Sequence, residues 1–262
     1  MSTVNISRSL HPNVVNFFPP VSASPYYADN PFAAPATAMW WLSEYWRLWI
    51  GRSDTYADRS LYDGGVRGTG VALTNGELWD HVLGNHAAYV YVQNIVPRGV
   101  KICVLDVDVH DRVPDDEVPE LARRNFIYMA AVWRQLREMG LPVLLEDSDG
   151  RGGLHLWMFV DNLSNREAMS VAAWMANLAE AGDLGVERFP RGNEAVEGRP
   201  GLCIRLPGRH HTRHHFSLFW TDTGWIDAGA ALALLEQIQP VAVSGLTEES
   251  LNFQLPPSTR PN

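Results

Sequence analysis

The feature that most constrains the fold is a run of apolar residues that ends in two aspartates. Residues 100–107, VKICVLDV, have the composition of a buried strand, and Asp108 follows directly. Because side chains alternate between the faces of a strand, Asp106 and Asp108 are expected on the same side. Adjacent carboxylates repel each other unless a cation lies between them, and hard oxygen ligands favour Mg²⁺ or Mn²⁺. The alternative for so short a motif is a pair of capping or turn residues.

Patterns on both sides of this run predict an α+β domain. The predicted strands lie, in chain order, at 88–96, 100–107, 142–147, 153–160, 185–189, 202–206 and 216–220. One helix is predicted over residues 118–139, and a second from a capping box at Ser164 and Glu167 to Gly182. The order ββαββα, followed by three strands, indicates a mostly antiparallel sheet with helices on one face.

Composition excludes several classes of protein. With 46% hydrophobic and 19% charged residues in 262, the chain is neither disordered nor collagen-like, and it suits one large domain or two intimate modules. The net charge of −9 argues against coating nucleic acid over the whole surface but leaves room for one basic groove. Two cysteines, Cys103 and Cys203, exclude a disulfide scaffold and CxxC zinc fingers. Without a signal peptide or an apolar run of about 20 residues, a soluble cytoplasmic protein with no membrane partner is expected.

Three segments follow from the local composition. Residues 1–36 are rich in Pro, Ser, Asn and Ala and predict an irregular arm, residues 37–240 form the main domain, and residues 241–262 form a loose tail. The main domain begins with a tryptophan-rich stretch. We interpret it as core rather than as a base-stacking surface, because aromatic residues at mixed helical spacing are usually buried: Trp40, Trp41, Trp46 and Trp49.

A second group of candidate residues surrounds the glycine-rich turn at 149–153. Ser148 precedes the turn, and His155 and Trp157 share one face of the returning strand. Glycine at Gly152 would let backbone N–H groups approach a phosphate, and Arg151 would add positive charge. The alternative is a tight hairpin with a buried histidine.

A third group lies between residues 187 and 215. Glu187 lies in a short apolar strand, where an unpaired carboxylate is costly. Residues 188–215 carry six arginines and two glutamates, a local charge of 6 − 2 = +4, and four histidines, His210, His211, His214 and His215. We interpret this segment as a phosphate-facing basic loop. The alternatives are a solvated charged segment and a structural metal site.

In order and spacing, these motifs resemble those of the archaeo-eukaryotic primase superfamily. The nearest branches are the primase-polymerase domains of TOTE conflict systems and the CRISPR-associated primase-polymerases. The resemblance spans residues 49–220 and includes the segments GRSDTYADRS and LWDHVLGN. The matching motif residues are Asp106 and Asp108; Ser148, Gly150, Arg151, Gly152, His155 and Trp157; Glu187, Phe189 and Pro190; and the run GLCIRLP at 201–207. The run ERFPRGN departs from the family after its basic position.

The resemblance implies a fold and an activity. The fold would be a primase-polymerase core with an RRM-like, mostly antiparallel sheet, helices packed on it and an N-terminal α/β module. The activity would be template-directed nucleotidyl transfer from NTPs or dNTPs on single-stranded DNA, in a bacterial or phage-infected cell. The resemblance implies that Asp106, Asp108 and Glu187 hold two Mg²⁺ or Mn²⁺ ions. It implies a nucleotide site made by Ser148, Arg151, Gly152, His155, Arg205 and Arg209.

Two other functions remain open from the sequence. One is a catalytically silent nucleotide- or DNA-binding accessory on the same fold, and the other is a sugar-nucleotide transferase, whose DxD motif also binds Mn²⁺. The intact set of acidic, serine and histidine residues argues against the first, and the Ser-Gly-His turn argues against the second. Because no helicase or nuclease motif follows, the protein is expected to act alone or with a separate partner such as a helicase or replication protein.

Overall fold

A computed structural model describes residues 10–14, 29–59, 65–95, 99–191, 195 and 200–242. The helices are α1 (Pro35–Glu44), continued by a π-helical turn (Tyr45–Trp49), α2 (Asn75–Val82), α3 (Val118–Glu138), α4 (Asn165–Ala176) and α5 (Ala228–Leu235). The strands are β1 (Ala57–Arg59), β2 (Val66–Gly68), β3 (Tyr89–Tyr91), β4 (Val100–Val107), β5 (Val143–Asp147), β6 (Leu154–Leu163), β7 (Glu187–Phe189), β8 (Cys203–Arg205), β9 (Leu218–Thr221) and β10 (Gly224–Ile226). Most of the predicted arm and tail lies outside the described residues.

The chain is an α+β protein built around a six-stranded antiparallel sheet. Its strand order is β10-β9-β5-β6-β4-β7, so the aspartate-bearing strand β4 lies between β6 and β7. Helices α3 and α4 pack on one face, where the Cys103 thiol of β4 contacts the Ala168 carbonyl of α4 at 3.5 Å. The buried residues of α3 are spaced three or four apart, as in an amphipathic helix, and form the face that packs on the sheet. They are Asn125, Tyr128, Met129, Val132, Trp133 and Leu136.

The tryptophan-rich stretch packs on the opposite face of this sheet. Trp49 of the π-helical turn meets Trp157 and Phe159 of β6 edge-on, with ring centroids 5.9 and 5.1 Å apart. Trp41 and Trp46 are also buried, whereas Trp40 is half-buried. The prediction that this stretch belongs to the core is confirmed.

A second, four-stranded sheet corrects part of the predicted topology. Its order is β2-β1-β3-β8, so β3 and β4 belong to different sheets, and β8 completes a sheet otherwise built from the N-terminal part. The strand predicted over 88–96 stops at Tyr91. After it, the backbone N–H and C=O of Asn94 bond to the side chain of Asn165 at 2.9 and 2.5 Å. These bonds attach the segment after β3 to α4, so Asn94 does not continue the hydrogen bonding of the strand.

Both predicted helices are confirmed, but α4 ends earlier than predicted. Helix α3 begins and ends within one residue of its predicted bounds, and Ser164 and Glu167 form the predicted capping box of α4. Helix α4 ends at Ala176 rather than near Gly182. The Asn177 side chain donates to the Ala173 carbonyl at 2.8 Å, competing with the helical backbone.

Two helices that we did not predict carry N-terminal caps. Thr74 and Glu77 form a second capping box at α2, the same signal that located α4. Asp227 caps α5 by accepting from the Ala230 N–H at 2.9 Å. Within the described ranges, every helix is too short or too polar to cross a lipid bilayer.

Gly152 allows the glycine-rich turn to approach α3. Its φ of +105° is unfavourable for other residues, and a Cβ there would lie 2.4 Å from the Ala122 Cβ. We expect Gly152→Ala to lower the free energy of unfolding by about 3 kcal/mol, because strain and overlap add. Urea titration followed by circular dichroism would measure it. Gly182→Ala is the control, with φ +61° and open space around it, and should cost about 1 kcal/mol. Equal losses would show that the Ala122 contact does not matter.

Candidate active site

Four polar side chains form a row across four neighbouring strands of the six-stranded sheet. Glu146 of β5 is paired with His155 of β6, His155 with Asp106 of β4, and Asp106 with Glu187 of β7. Directly opposed residues on adjacent strands share one face, so all four side chains lie on the same side of the sheet. Asp108 follows two residues after Asp106. The sheet pairing therefore brings the aspartate pair, the histidine and Glu187 of the sequence analysis into one place.

Glu146 is a fully buried carboxylate that the sequence analysis did not select. It accepts hydrogen bonds from His155 Nδ1 at 3.1 Å, Trp157 Nε1 at 2.7 Å and Ser217 Oγ at 2.5 Å. Burial alone would raise the pKa of Glu146, but His155, Arg205 and the Ser217 hydroxyl lower it below its usual value. Glu146 is therefore an ionised group inside the protein. The argument that we applied to Glu187, that a carboxylate in an apolar strand needs a partner, would have found it.

His155 lies between two acidic side chains. Its Nδ1 faces Glu146, and its Nε2 is 3.7 Å from Asp106 Oδ1. Burial lowers the pKa of His155, but the negative charges of Asp106 and Glu146 outweigh burial, so the pKa lies above its usual value. The ring edge-packs against Trp157, with centroids 5.3 Å apart. Trp157 is fully buried.

Asp106 is the carboxylate at this site that is most costly to ionise. Burial raises its pKa to about 7, with Asp108 and Glu187 adding to the rise and His155 and Arg205 opposing it. Among the described residues, the buried Oδ1 of Asp106 has no hydrogen-bond partner. A cation would satisfy that oxygen and lower the cost of the charge, so the donor chemistry fits a hard divalent ion.

The other two carboxylates lie at the surface. Asp108 is exposed, and Glu187 is about half exposed, with its Oε1 3.0 Å from Arg191 Nη2. The expectation that Glu187 lies in apolar surroundings is wrong, because β7 is an edge strand that turns this side chain to solvent. In the part of the chain that the structure describes, no three His, Cys, Asp or Glu side chains are grouped closely enough to hold a metal ion. Glu187 would have to leave Arg191 to join Asp106.

The glycine-rich turn is held by its own aspartates. The N–H of Gly150 donates to Asp147 Oδ1 at 2.8 Å, and the N–H groups of Arg151 and Gly153 both donate to Asp149 Oδ1 at 2.8 Å. These three amides would be the donors of a phosphate cradle, but they already have acceptors. In this turn Gly152 serves the close contact with α3, and the three amides hold the turn itself.

Ser148, which precedes this turn, and Arg151, which lies within it, have different surroundings. Ser148 is buried, its N–H donates to the Gly153 carbonyl at 3.0 Å, and its own carbonyl accepts from Arg205 Nη2. Arg151 extends away, with Nη2 2.8 Å from the Val113 carbonyl and Nη1 3.1 Å from Asp115, an almost fully exposed partner. Of the two, Ser148 contacts Arg205, whose charge acts on Asp106 and Glu146, and Arg151 does not.

Arg205 is a buried cation beside this row. Besides the Ser148 carbonyl, its guanidinium reaches the carbonyls of Leu206 and Arg209 at 3.4 Å, and no described carboxylate lies within 4 Å of it. Its positive charge lowers the pKa values of Asp106 and Glu146. Arg209 contacts the Gly84 carbonyl at 3.3 Å, beyond the end of α2.

The histidines of the basic loop, residues 208–217, have partners both inside and outside the loop. His211 Nδ1 lies 3.0 Å from the Tyr89 hydroxyl, and His215 Nε2 lies 3.5 Å from Asp147 Oδ1. His210 Nδ1 accepts from the N–H groups of Thr212 and Arg213 at 3.2 and 3.1 Å, and burial lowers its pKa to about 3. Arg213 pairs with Asp149 and Asp111, which offsets part of the positive charge of this segment. Within the described ranges, these histidines do not form a metal site.

Comparisons with known proteins give a structural likeness but no match in sequence. No family model matches the chain, and no curated protein matches it. Among solved structures, the chain is similar to the polymerase domain of ligase D from Mycobacterium tuberculosis, determined in complex with DNA. The TM-score is 0.39 and the sequence identity 14%, over 82% of this chain and 91% of that one.

Proposed function

We propose that this protein is a primase-polymerase of the archaeo-eukaryotic primase superfamily, in the branch of TOTE and CRISPR-associated enzymes. It would transfer nucleotides from NTPs or dNTPs to a 3′-hydroxyl, directed by single-stranded DNA and dependent on a divalent metal. The observation that carries this proposal is the row of Asp106, His155 and Glu187 on one sheet face, with Asp108 two residues on. The same strands bring the DxD motif, the motif histidine and the third acid together.

Asp106, Asp108 and Glu187 would hold Mg²⁺ or Mn²⁺ in this proposal. The unsatisfied Oδ1 of Asp106 and its raised pKa, about 7, support a cation there. Glu187 would join by giving up Arg191, at little cost, because exposed ion pairs contribute roughly 0–1 kcal/mol. When bound, such cations supply charge stabilisation for the attacking 3′-hydroxyl and the departing pyrophosphate.

The nucleotide would be held by side chains around this row. His155 carries a raised pKa and turns Nε2 toward Asp106, so a protonated ring would donate to a phosphate oxygen placed there. Arg205 would add a buried positive charge whose described partners are carbonyls. The side chains of Ser148 and Arg209 would complete the site, whereas Gly152 serves the contact with α3. Arg151 would join by exchanging the exposed Asp115 for a phosphate.

The template would lie along the basic loop. Arg209 and Arg213 lie on the basic loop, whose neck, formed by Gly208 and Ser217, contacts Glu146 of the row of polar side chains. The total charge of the chain is −9. A local arginine-bearing groove is the form of DNA binding that an acidic protein permits. A separate helicase or replication protein would supply the strand separation.

Glu187→Gln should keep the fold and template binding but lose most Mg²⁺-dependent synthesis. The amide keeps the size of the side chain and removes the charge that would complete the metal site. We expect at least a ten-fold loss in Mg²⁺ and partial recovery in Mn²⁺, which tolerates looser ligation. Primer-extension rates in the two metals would measure it, with Glu180→Gln as a surface control. Full activity in Mg²⁺ would show that Asp106 and Asp108 suffice.

The proposed function is tested with purified protein, homopolymer single-stranded templates and labelled nucleotides. Reactions contain Mg²⁺ or Mn²⁺, each nucleotide singly, and are run with and without a primer. We expect incorporation only of the nucleotide complementary to the template, abolished by EDTA. Nucleotide and DNA binding without incorporation under all these conditions would instead support the silent accessory protein on the same fold.

A further inference from the structure

We propose that Glu146 is a positioning residue, which fixes the His155 ring beside Asp106 and ties it to the basic loop. This inference rests on the proposed function and assigns a role to a residue outside the predicted site. Glu146 is fully buried and has three hydrogen-bond donors, His155, Trp157 and Ser217. A buried carboxylate with three donors is held in one orientation, and it holds its donors in return.

The bond to His155 acts together with the packing of Trp157. Glu146 Oε2 accepts from both Trp157 Nε1 and His155 Nδ1, and the Trp157 ring stands at 88° to the imidazole. Trp157 cannot move easily, because it is fully buried and packs edge-on against Trp49. The imidazole is therefore held at Nδ1 by a carboxylate and by a T-shaped contact with an indole. Only Nε2 remains to meet Asp106 or a ligand.

The other oxygen of Glu146 reaches the neck of the basic loop. Ser217 Oγ donates to Glu146 Oε1, and the N–H of Gly208 donates to Ser217 Oγ at 2.9 Å. The N–H of Ser217 also donates to the Gly208 carbonyl at 2.9 Å, which closes the loop at its base. One carboxylate thus connects the histidine of the sheet with the segment that carries Arg209 and Arg213.

A bound triphosphate would then meet His155 and the loop arginines in a fixed relation. Without the Glu146 carboxylate, the imidazole could turn about its Cβ–Cγ bond, and the loop neck would lose one anchor. Residues that orient a binding side chain through a hydrogen bond often change affinity by 10–100-fold when they are replaced. The expected signature is weaker nucleotide binding that depends on the presence of His155.

The test is a double-mutant cycle on nucleotide binding. Glu146→Gln, His155→Gln and the double variant are compared with the wild type for the apparent nucleotide KM and for kcat in primer extension. We expect Glu146→Gln to raise KM by at least about ten-fold, with a smaller change in kcat, and the double variant to resemble His155→Gln alone. Glu44→Gln, which alters another buried glutamate that pairs with Arg47, is the control and should leave KM unchanged.

A second measurement does not require polymerase activity. In protein labelled with ¹⁵N-histidine, His155 should show a protonated Nδ1 in slow exchange with water, and this signal should be lost in Glu146→Met, which has no oxygen to accept the bond. The inference would be overturned if the wild type lacked this Nδ1 signal. It would also be overturned if the KM effects of the two single substitutions simply multiplied in the double variant. A wild type that does not extend primers would contradict the proposed function alone. In that case, the Kd of dATP replaces KM in the double-mutant cycle. A double variant that resembles His155→Gln would support the inference, and effects that multiply would overturn it.

Discussion

Asp106→Asn should abolish nucleotide incorporation, with a loss of about a thousand-fold or more, while the protein remains folded. The amide has nearly the shape of the carboxylate but lacks the charge that a divalent ion requires. The loss falls on the step in which negative charge develops, so kcat should fall rather than template affinity. Primer extension and binding of labelled single-stranded DNA, measured on the same preparation, would separate the two. Extension within ten-fold of the wild type would contradict the assignment of Asp106.

The same substitution should stabilise the metal-free protein, increasingly so as the pH rises. The pKa of Asp106 lies near 7 in the folded protein and near 3.8 when exposed, so ionisation opposes folding. This penalty is absent below about pH 4, grows up to pH 7 and is complete above it, where it reaches at most about 4 kcal/mol. Thermal unfolding in EDTA should therefore give Asp106→Asn a clearly higher Tm at pH 8, a smaller advantage at pH 5 and almost none below pH 4. A Tm difference that does not change with pH would contradict the buried, costly carboxylate.

Trp157→Ala should cause the largest loss of stability among single substitutions at this site. The side chain is fully buried, packs against Trp49 and donates to Glu146 at 2.7 Å. Removing it leaves a cavity and takes one donor from a buried charge, for a loss of about 3–5 kcal/mol. Urea unfolding followed by far-ultraviolet circular dichroism would measure the change.

Two further tryptophan substitutions separate the effect of the lost hydrogen bond from that of the lost packing. Trp157→Phe keeps most of the ring and removes the N–H, so it should cost about 1–3 kcal/mol, the value of a hydrogen bond to a charged group. Trp225→Ala, at an edge-strand residue that is 37% exposed, should cost about 1 kcal/mol or less. If Trp157→Ala lost no more stability than Trp225→Ala, the aromatic core between the sheet and the π-helical turn would not have the role described here.

The elements that could be predicted from the sequence are those with strong local signals. Strand β4 follows from a mainly apolar run, α3 from its amphipathic period and the glycine and proline after it, and α4 from its capping box. The division into two sheets could not be predicted in this way, because β3 pairs with β8 across more than a hundred residues. Such a pairing depends on tertiary packing, about which a local sequence pattern carries no information.

Within the site, the sequence located the strands but not the environments of their side chains. Asp106 and His155 are neighbours because β4 and β6 pair in that register, and Glu187 joins them through β7. Neither the exposure of Glu187 nor the occupied amides of the glycine-rich turn can be derived from residue spacing. Glu146 carried a signal, an acid inside the apolar run PVLLED, and its importance depends on three donors from other parts of the chain.

The central claim, a divalent-metal site at Asp106, Asp108 and Glu187, is tested most directly by electron paramagnetic resonance of Mn²⁺. The signal of free Mn²⁺ is followed while wild-type protein or Asp106→Asn is added in the presence of dATP, with dATP alone as the baseline. The account predicts that the wild type removes Mn²⁺ from solution beyond that baseline and that Asp106→Asn does not. Equal depletion of the free Mn²⁺ signal by the two proteins, or none by the wild type, would contradict it.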